Sequence, residues 1–232
     1  MDELERIRRE YDRRDRTGTL TYDPMDPAVY LPAQERERAL IRCLQQARLP
    51  PVERLRLLEV GCGTGNNLLQ LLRLGFRPEH LHGIELVPER AQEARQRLPA
   101  ALTISAGNAA DADYADDAFD IVYQSMVFTS IQDADLSRQL AQTMWRITRP
   151  GGGILWYDFT YDNPRNPAVH GIGVSTIREL FPQGKMRTQR VTLAPPLARR
   201  VVRLHPAAYP LFNAFPLLRT HVLCWIGKRA GR

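Results

Sequence analysis

The sequence predicts an α/β fold: a seven-stranded, mostly parallel sheet with helices on both faces, closed by a C-terminal antiparallel strand pair. Three observations carry this expectation. Between Leu55 and Phe159 short apolar runs alternate with longer stretches of helical periodicity, as strands joined by crossover helices do. Two strand-like runs near the C-terminal end, "MRTQRVTLAP" and "THVLCWIGKR", have no clear helix immediately between them, so they should pair antiparallel. Finally, a glycine-rich segment follows the first apolar run, and sheets of this class bind ligands beyond the carboxyl ends of their strands.

The elements follow in order. Residues 2–16 form a charged helix. "TGTLTYDPMDPAVYLP" is punctuated by proline and should be irregular. "AQERERALIRCLQQARL" resumes as a helix whose apolar stripe is Ala39, Leu40, Cys43, Leu44 and Ala47. Residues 1–50 are therefore read as a helical extension, with Tyr11, Tyr22 and Tyr30 as candidates for a lid. Residues 51–232 form the main domain. Its first five strands are "LRLLEV", "LHGIEL", "LTISAG", "FDIVYQS" and "GILWYDF". The intervening helices are "NNLLQLLRLG", "PERAQEARQRL" and "DADLSRQLAQTMWRI", with Pro88 suited to a first helical turn and Gly75 to a helix end. Between the last two strands "PLARRVVRLHPAAYPLFNAFPLLR" is apolar, aromatic and basic. It reads as an inserted cap within an acceptor-side segment of about residues 160–220.

Composition narrows the class. The chain has 232 residues, 44% hydrophobic and 25% charged, enough for a sizeable core. Cys43, Cys62 and Cys224 are scattered, without metal-ligand spacing. A disulfide framework and a metal site are not expected, and a reducing cytoplasm fits. The charged N-terminus is not a signal peptide. No run of about 18 apolar residues is present to span a bilayer, which leaves only peripheral membrane contact. Of 32 basic residues, ten lie from Leu180 onward, where no Asp or Glu occurs. The remainder carries 22 basic against 26 acidic residues. That asymmetry points to an anionic partner near the C-terminal segment, or to a solvated basic face.

The stretch "LLEVGCGTGNN" poses the functional question. Gly65 is followed by Asn66 and Asn67, whereas a phosphate-cradling P-loop needs Lys and then Ser or Thr. The spacing of Gly61, Gly63 and Gly65 also departs from the dinucleotide fingerprint. Glu85, twenty positions after Gly65, ends the second run, and an acid there can accept both hydroxyls of a ribose. A nucleoside ligand follows.

With these residues in view, "LLEVGCGTG" resembles the first motif of class I S-adenosylmethionine-dependent methyltransferases. "GIELVPERAQEAR" is similar to their second motif, "SAGNAADADYADDAFDIVYQSMVF" to the third and fourth, and "MWRITRPGGGILWYDF" to the helix, turn and fifth strand. The resemblance covers about residues 55–160 and implies a Rossmann-like fold, methyl transfer and S-adenosyl-L-methionine as cofactor. It further implies that Glu59 and the loop of Gly61, Cys62, Gly63, Gly65 and Asn66 hold the methionine end. Glu85 would take the ribose, Leu86 would pack on the adenine, and Asn108 and Ala109 would border it. Gln124 and Ser125 would line the path to the acceptor. Where many relatives have Asp at the adenine amine, this chain has Asn108. Where many carry histidines after the fourth strand, it has "VFTSIQD".

A base, if the acceptor is a hydroxyl, must then come from elsewhere. His170, in the loop "NPRNPAVHGIGVST", and Asp158, at the end of the fifth strand, are the candidates. The side chains that mark amino methylation of nucleic-acid bases are absent after the fourth strand, where "QSMV" stands. The arginine-rich, aromatic cap suits an anionic, partly apolar acceptor. A weaker resemblance to bacterial surface-glycan methyltransferases points to O-methylation of a sugar, a lipid-linked glycan or another small hydroxylated molecule. The alternatives are an RNA or protein methyltransferase that uses the basic C-terminal segment, and a cofactor-binding partner protein without turnover. Monomer and homodimer both remain open.

Overall fold

The computed structural model describes residues 2–16, 23–162 and 166–230. Seven strands form one sheet: β1 Leu57–Val60, β2 Leu81–Glu85, β3 Thr103–Ala106, β4 Phe119–Ser125, β5 Thr148–Phe159, β6 Lys185–Leu193 and β7 Arg219–Gly227, in the order β3-β2-β1-β4-β5-β7-β6. The pairs from β3 through β5 are parallel, and β7 runs antiparallel to both β5 and β6. This is the Rossmann-like arrangement the sequence predicts. Strand order reverses at β1 and β4, where an open α/β sheet leaves a ligand crevice. Register sharpens that edge: Glu59 lies opposite Gly83 and Tyr123, and Val60 opposite Ile84 and Gln124.

The strands bury both faces, so alternate residues enter different cores. Leu58, Val122 and Trp156 pack on one side with Leu140, Met144 and Ile147 of α5 (Ala134–Ile147). Leu57, Ile121, Tyr123 and Leu155 pack on the other side. There they meet Ala39 and Leu40 of α2 (Pro27–Ala47), Leu68 and Leu71 of α3 (Asn66–Arg73), and Ala91 and Ala94 of α4 (Pro88–Arg97). The first helix, α1 (Glu3–Arg16), is charged along its length, as expected.

Three local expectations are corrected. The second helix begins at Pro27, inside the stretch read as irregular. Asp26 caps it by accepting from the Ala28 N–H at 2.8 Å, and a proline at the first helical position sacrifices no helical hydrogen bond. Pro32 is carried inside the helix; packing of Ala39 and Leu40 offsets its missing donor. Residues 17–22 of that stretch, with Tyr22, lie outside the described residues. In the C-terminal cap, α7 (Pro195–Leu204) and α8 (Ala208–Asn213) separate β6 from β7 where no clear helix was expected. Their prolines sit at or near helix starts rather than breaking the helices. A short helix, α6 (Val174–Leu180), precedes β6 and buries Ile177.

Candidate functional site

The carboxyl ends of β1 to β4 surround a cavity of about 360 Å³. Gly61, Cys62, Gly63 and Asn66 form one wall, Glu85 and Leu86 a second, and Asn108, Ala109 and Ser125 a third. The loop's shape requires glycine. Gly61 has φ +65°, and a Cβ there would lie 2.5 Å from Val127 Cγ2. Gly65 does not line the cavity; at φ +87° it turns the chain into α3 as its N-cap. Met126, a cavity-lining residue just beyond β4, has φ +64°, and its N–H donates to the Tyr157 carbonyl at 2.9 Å. A side-chain-bearing residue in the left-handed region stores strain, as functional edges often do.

Glu85 is buried, and both of its oxygens are in use. Oε2 accepts from the Gly63 N–H at 2.7 Å and Oε1 from the Val87 N–H at 3.0 Å. The carboxylate thus ties the glycine loop to β2, and Glu85 also lines the cavity. Asn108 uses its amide oxygen to accept from the Ala110 N–H at 3.1 Å and donates from Nδ2 to Asp111 at 2.8 Å. One lone pair of that oxygen is therefore committed to the turn.

Beneath the loop lies a buried polar cluster. Glu59 is fully buried, and its Oε1 accepts from Asn67 Nδ2 at 2.6 Å. Arg36 of α2 donates from Nη2 to Asn67 Oδ1 at 3.0 Å and lies over the Tyr157 ring at 5.2 Å. Glu59 Oε2 and Arg36 Nε are buried without a hydrogen-bond partner. Burial pushes Glu59 up to about 8, despite the opposing effects of Asn67 and Arg36. Arg36 and Asn67 line the cavity. Glu59 does not, and is joined to that wall through Asn67. An unpaired carboxyl oxygen and guanidinium nitrogen in one such cluster fit the ammonium and carboxylate of a zwitterion.

The N-terminal helix α1 contributes to the cavity wall. Leu4, Ile7 and Tyr11 line it. Glu3 accepts from the Gln132 N–H at 2.6 Å, Arg6 donates to the Ser130 carbonyl at 2.6 Å, and the Arg90 guanidinium lies 4.7 Å from the Tyr11 ring centre. Tyr30 does not line the cavity.

The two candidate bases stand apart from this space, and neither lines it. His170 is half-buried, and its backbone N–H donates to the Thr129 carbonyl at 3.0 Å. Residues 163–165 of its loop lie outside the described residues. Asp158 is fully buried; Oδ2 accepts from Gln124 Nε2 at 3.2 Å, and Oδ1 has no partner. Gln124 is itself fully buried and accepts from the Val127 N–H at 3.2 Å, so it braces the end of β4 from below. Burial pushes Asp158 up to about 8, with the nearby Thr129 and Gln124 side chains opposing the rise.

Asp158 therefore holds a proton in the folded chain that the unfolded chain loses near its ordinary value of 3.8. Its stabilising contribution is complete below that value and is lost as pH rises toward about 8. Thermal unfolding of the ligand-free chain is expected to show this as a melting temperature that falls from pH 5 to pH 8. Glu59, raised to about 8 as well, adds to the same decline, so Asp158→Asn should lessen the slope without abolishing it, and an unchanged slope would contradict the assignment.

Arg36, Asn67 and Arg90 were not singled out from the sequence. A signal for Arg36 was present: it precedes Leu40 of the apolar stripe by four positions, so it shares the buried helix face.

Residues 57–152 match a family model described as a methyltransferase domain. Among curated relatives, trans-aconitate 2-methyltransferase of Paracidovorax citrulli (strain AAC00-1) is 32% identical over 163 residues, 70% of this chain and 58% of that protein. Malonyl-[acyl-carrier protein] O-methyltransferase of Halorhodospira halophila (strain DSM 244 / SL1) is 28% identical over 139 residues, 58% of this chain and 43% of that protein. The chain thus spans about half the length of the curated relatives it matches. Among solved structures, Burkholderia thailandensis 1,6-didemethyltoxoflavin-N1-methyltransferase, with 1,6-didemethyltoxoflavin and S-adenosylhomocysteine bound, superposes with a TM-score of 0.66. That match has 16% identity over 98% of this chain and 91% of the other.

Proposed function

We propose that residues 57–152, which match a methyltransferase-domain model over that span, form a class I S-adenosylmethionine-dependent methyltransferase domain, and that the protein methylates a carboxylate oxygen of a small, anionic, partly apolar acceptor. One observation carries the choice of acceptor: among the described residues lining the cavity there is no histidine and no aspartate. A hydroxyl nucleophile gains roughly 10²–10⁴ in rate from a positioned base. A carboxylate is already ionised at neutral pH and needs none. The names of the two curated relatives support this reading, since trans-aconitate and a malonyl group both bear carboxylates.

The residues fit the cofactor. Glu59 Oε2 would take its ammonium, Arg36 Nε and the N-terminus of α3 would take its carboxylate, and Glu85 would accept from its ribose hydroxyls. Leu86, Asn108 and Ala109 border the adenine, and α1 serves as the lid. When bound, S-adenosylmethionine would supply a sulfonium methyl, whose transfer to a carboxylate oxygen would leave the C–S electron pair on sulfur and require no proton transfer. The chain's own task is alignment and exclusion of water, which contributes roughly 7–11 kcal/mol in favourable cases. Ser125 and Met126 at the end of β4, with Leu4, Ile7 and Tyr11 of α1, hold the acceptor oxygen in line. Arg90 and Arg36, both lining the cavity, favour an anion by their charge.

An acceptor screen with radiolabelled methyl donor tests the reading. Di- and tricarboxylic acids and acyl thioesters with a free carboxylate should become base-labile esters. The rate should stay flat from pH 6.5 to 8.5 with donor saturating, and His170→Ala should retain it within about twofold. Transfer to neutral sugar or glycan hydroxyls, lost in His170→Ala, would overturn the carboxylate assignment, as would transfer to RNA alone.

A further inference from the structure

Seven large apolar side chains are strongly exposed among the described residues, and five of them, Leu204, Leu211, Phe212, Phe215 and Leu217, fall between residues 204 and 217. That concentration is not forced by the packing of the cap. Leu193, Ala198, Val202 and Tyr209 form the cap's own small core with Ala28 and Leu31 of α2, and the five project elsewhere, Leu217 being 89% and Leu204 85% exposed. Exposed apolar groups gathered this densely mark a surface that water does not normally cover.

Charge says what covers it. Arg199, Arg200 and Arg203 of α7 are exposed and enter no ion pair among the described residues. The chain has no Asp or Glu after Glu179 to neutralise them. Apolar tips beside unpaired cations are the chemistry of a segment lying at the interface of an anionic bilayer. A second protein surface would be expected to find some acidic counterpart here. The position in the fold agrees. The cap joins the carboxyl end of β6 to the start of β7, with Leu193 opposite Arg219 and Phe159 opposite His221. It therefore stands on the same sheet edge as the cavity.

We propose that the cap segment 196–219 docks on the surface of an anionic lipid bilayer. The five apolar side chains enter the interface, Arg199, Arg200 and Arg203 meet the anionic headgroups, and the cavity edge of the sheet faces the membrane. An acceptor that is itself partly apolar would then reach the site from that surface.

Flotation of the full chain with vesicles tests this without donor or acceptor, so its outcome is independent of the methyl-transfer reading. Vesicles of phosphatidylcholine with 30 mol% phosphatidylglycerol should retain the protein, and those of phosphatidylcholine alone should not. Each arginine contributes about fivefold in partitioning, so R199E/R200E/R203E should lose more than about a hundredfold. Leu211→Ser, Phe215→Ser and Leu217→Ser should each cost about tenfold or more, with an unchanged melting temperature because none is buried. No retention on either vesicle, or retention indifferent to the charge reversal, would overturn the proposal. So would a homodimer in sedimentation that Leu211→Ser dissociates, since the patch would then belong to a second copy.

Discussion

Glu85→Ala is expected to weaken binding of S-adenosylmethionine by about a hundredfold or more. The ribose hydroxyls would lose two hydrogen bonds to a charged acceptor, each worth roughly 1.5–3 kcal/mol. A second effect adds to the first. The same carboxylate holds the Gly63 N–H at 2.7 Å and the Val87 N–H at 3.0 Å, so its removal also loosens the loop that seats the methionine end. Glu85→Gln separates the two contributions: it keeps one acceptor oxygen, and it should fall between wild type and Glu85→Ala in calorimetric affinity. Thermal unfolding of each variant controls for loss of fold. Affinity unchanged in Glu85→Ala would remove Glu85 from the site.

Cofactor binding is also expected to release a proton. Glu59 is pushed up to about 8 by burial beneath the glycine loop, with Glu85 adding to the rise and Asn67 and Arg36 opposing it. At pH 7 the ligand-free carboxyl is therefore mostly protonated, and the cofactor's ammonium favours the ionised form. Because binding takes the deprotonated form, affinity should rise with pH, by up to about tenfold per unit between pH 6 and 8, and level off above about 8. Calorimetry at pH 7 in buffers of different ionisation enthalpy should show nearly one proton released. Glu59→Gln should abolish the release and weaken binding by roughly 10- to 100-fold, the loss of one charge-assisted hydrogen bond. A pH-independent affinity in the wild-type chain would contradict this account of the buried cluster.

What the sequence made legible follows from how local each feature is. Strand β4 is legible at its observed bounds because "FDIVYQS" gathers aromatic and β-branched residues just after the turn residues Asp116 and Asp117, and α3 to α5 are legible from period and capping. The glycine loop and Glu85 could be placed at the strand ends because both are fixed by chain position relative to a strand. Arg36 could not, although it shares a helix face with Leu40. The distance that brings it to Asn67 spans 31 residues of chain and is set by how α2 packs on the sheet. The start of α2 at Pro27 is hidden in the sequence because proline breaks a helix interior but starts a first helical turn. In the cap, α7 was obscured in the same way by its opening prolines. The near-neutral ordinary pKa of histidine and the composition of its loop single out His170, but neither sets where the ring lies, and it does not line the cavity. Asp158 stands at the end of β5 as its chain position implies, but it pairs there with Val222 of β7 and its side chain is fully buried.

Titration of S-adenosylmethionine into the full chain, followed by calorimetry, tests the central claim most directly. One site per chain, with saturable binding that Glu85→Ala weakens by about a hundredfold, is the result this site predicts. A folded wild-type chain that gives no saturable heat, or that binds the cofactor equally well without Glu85, would contradict it.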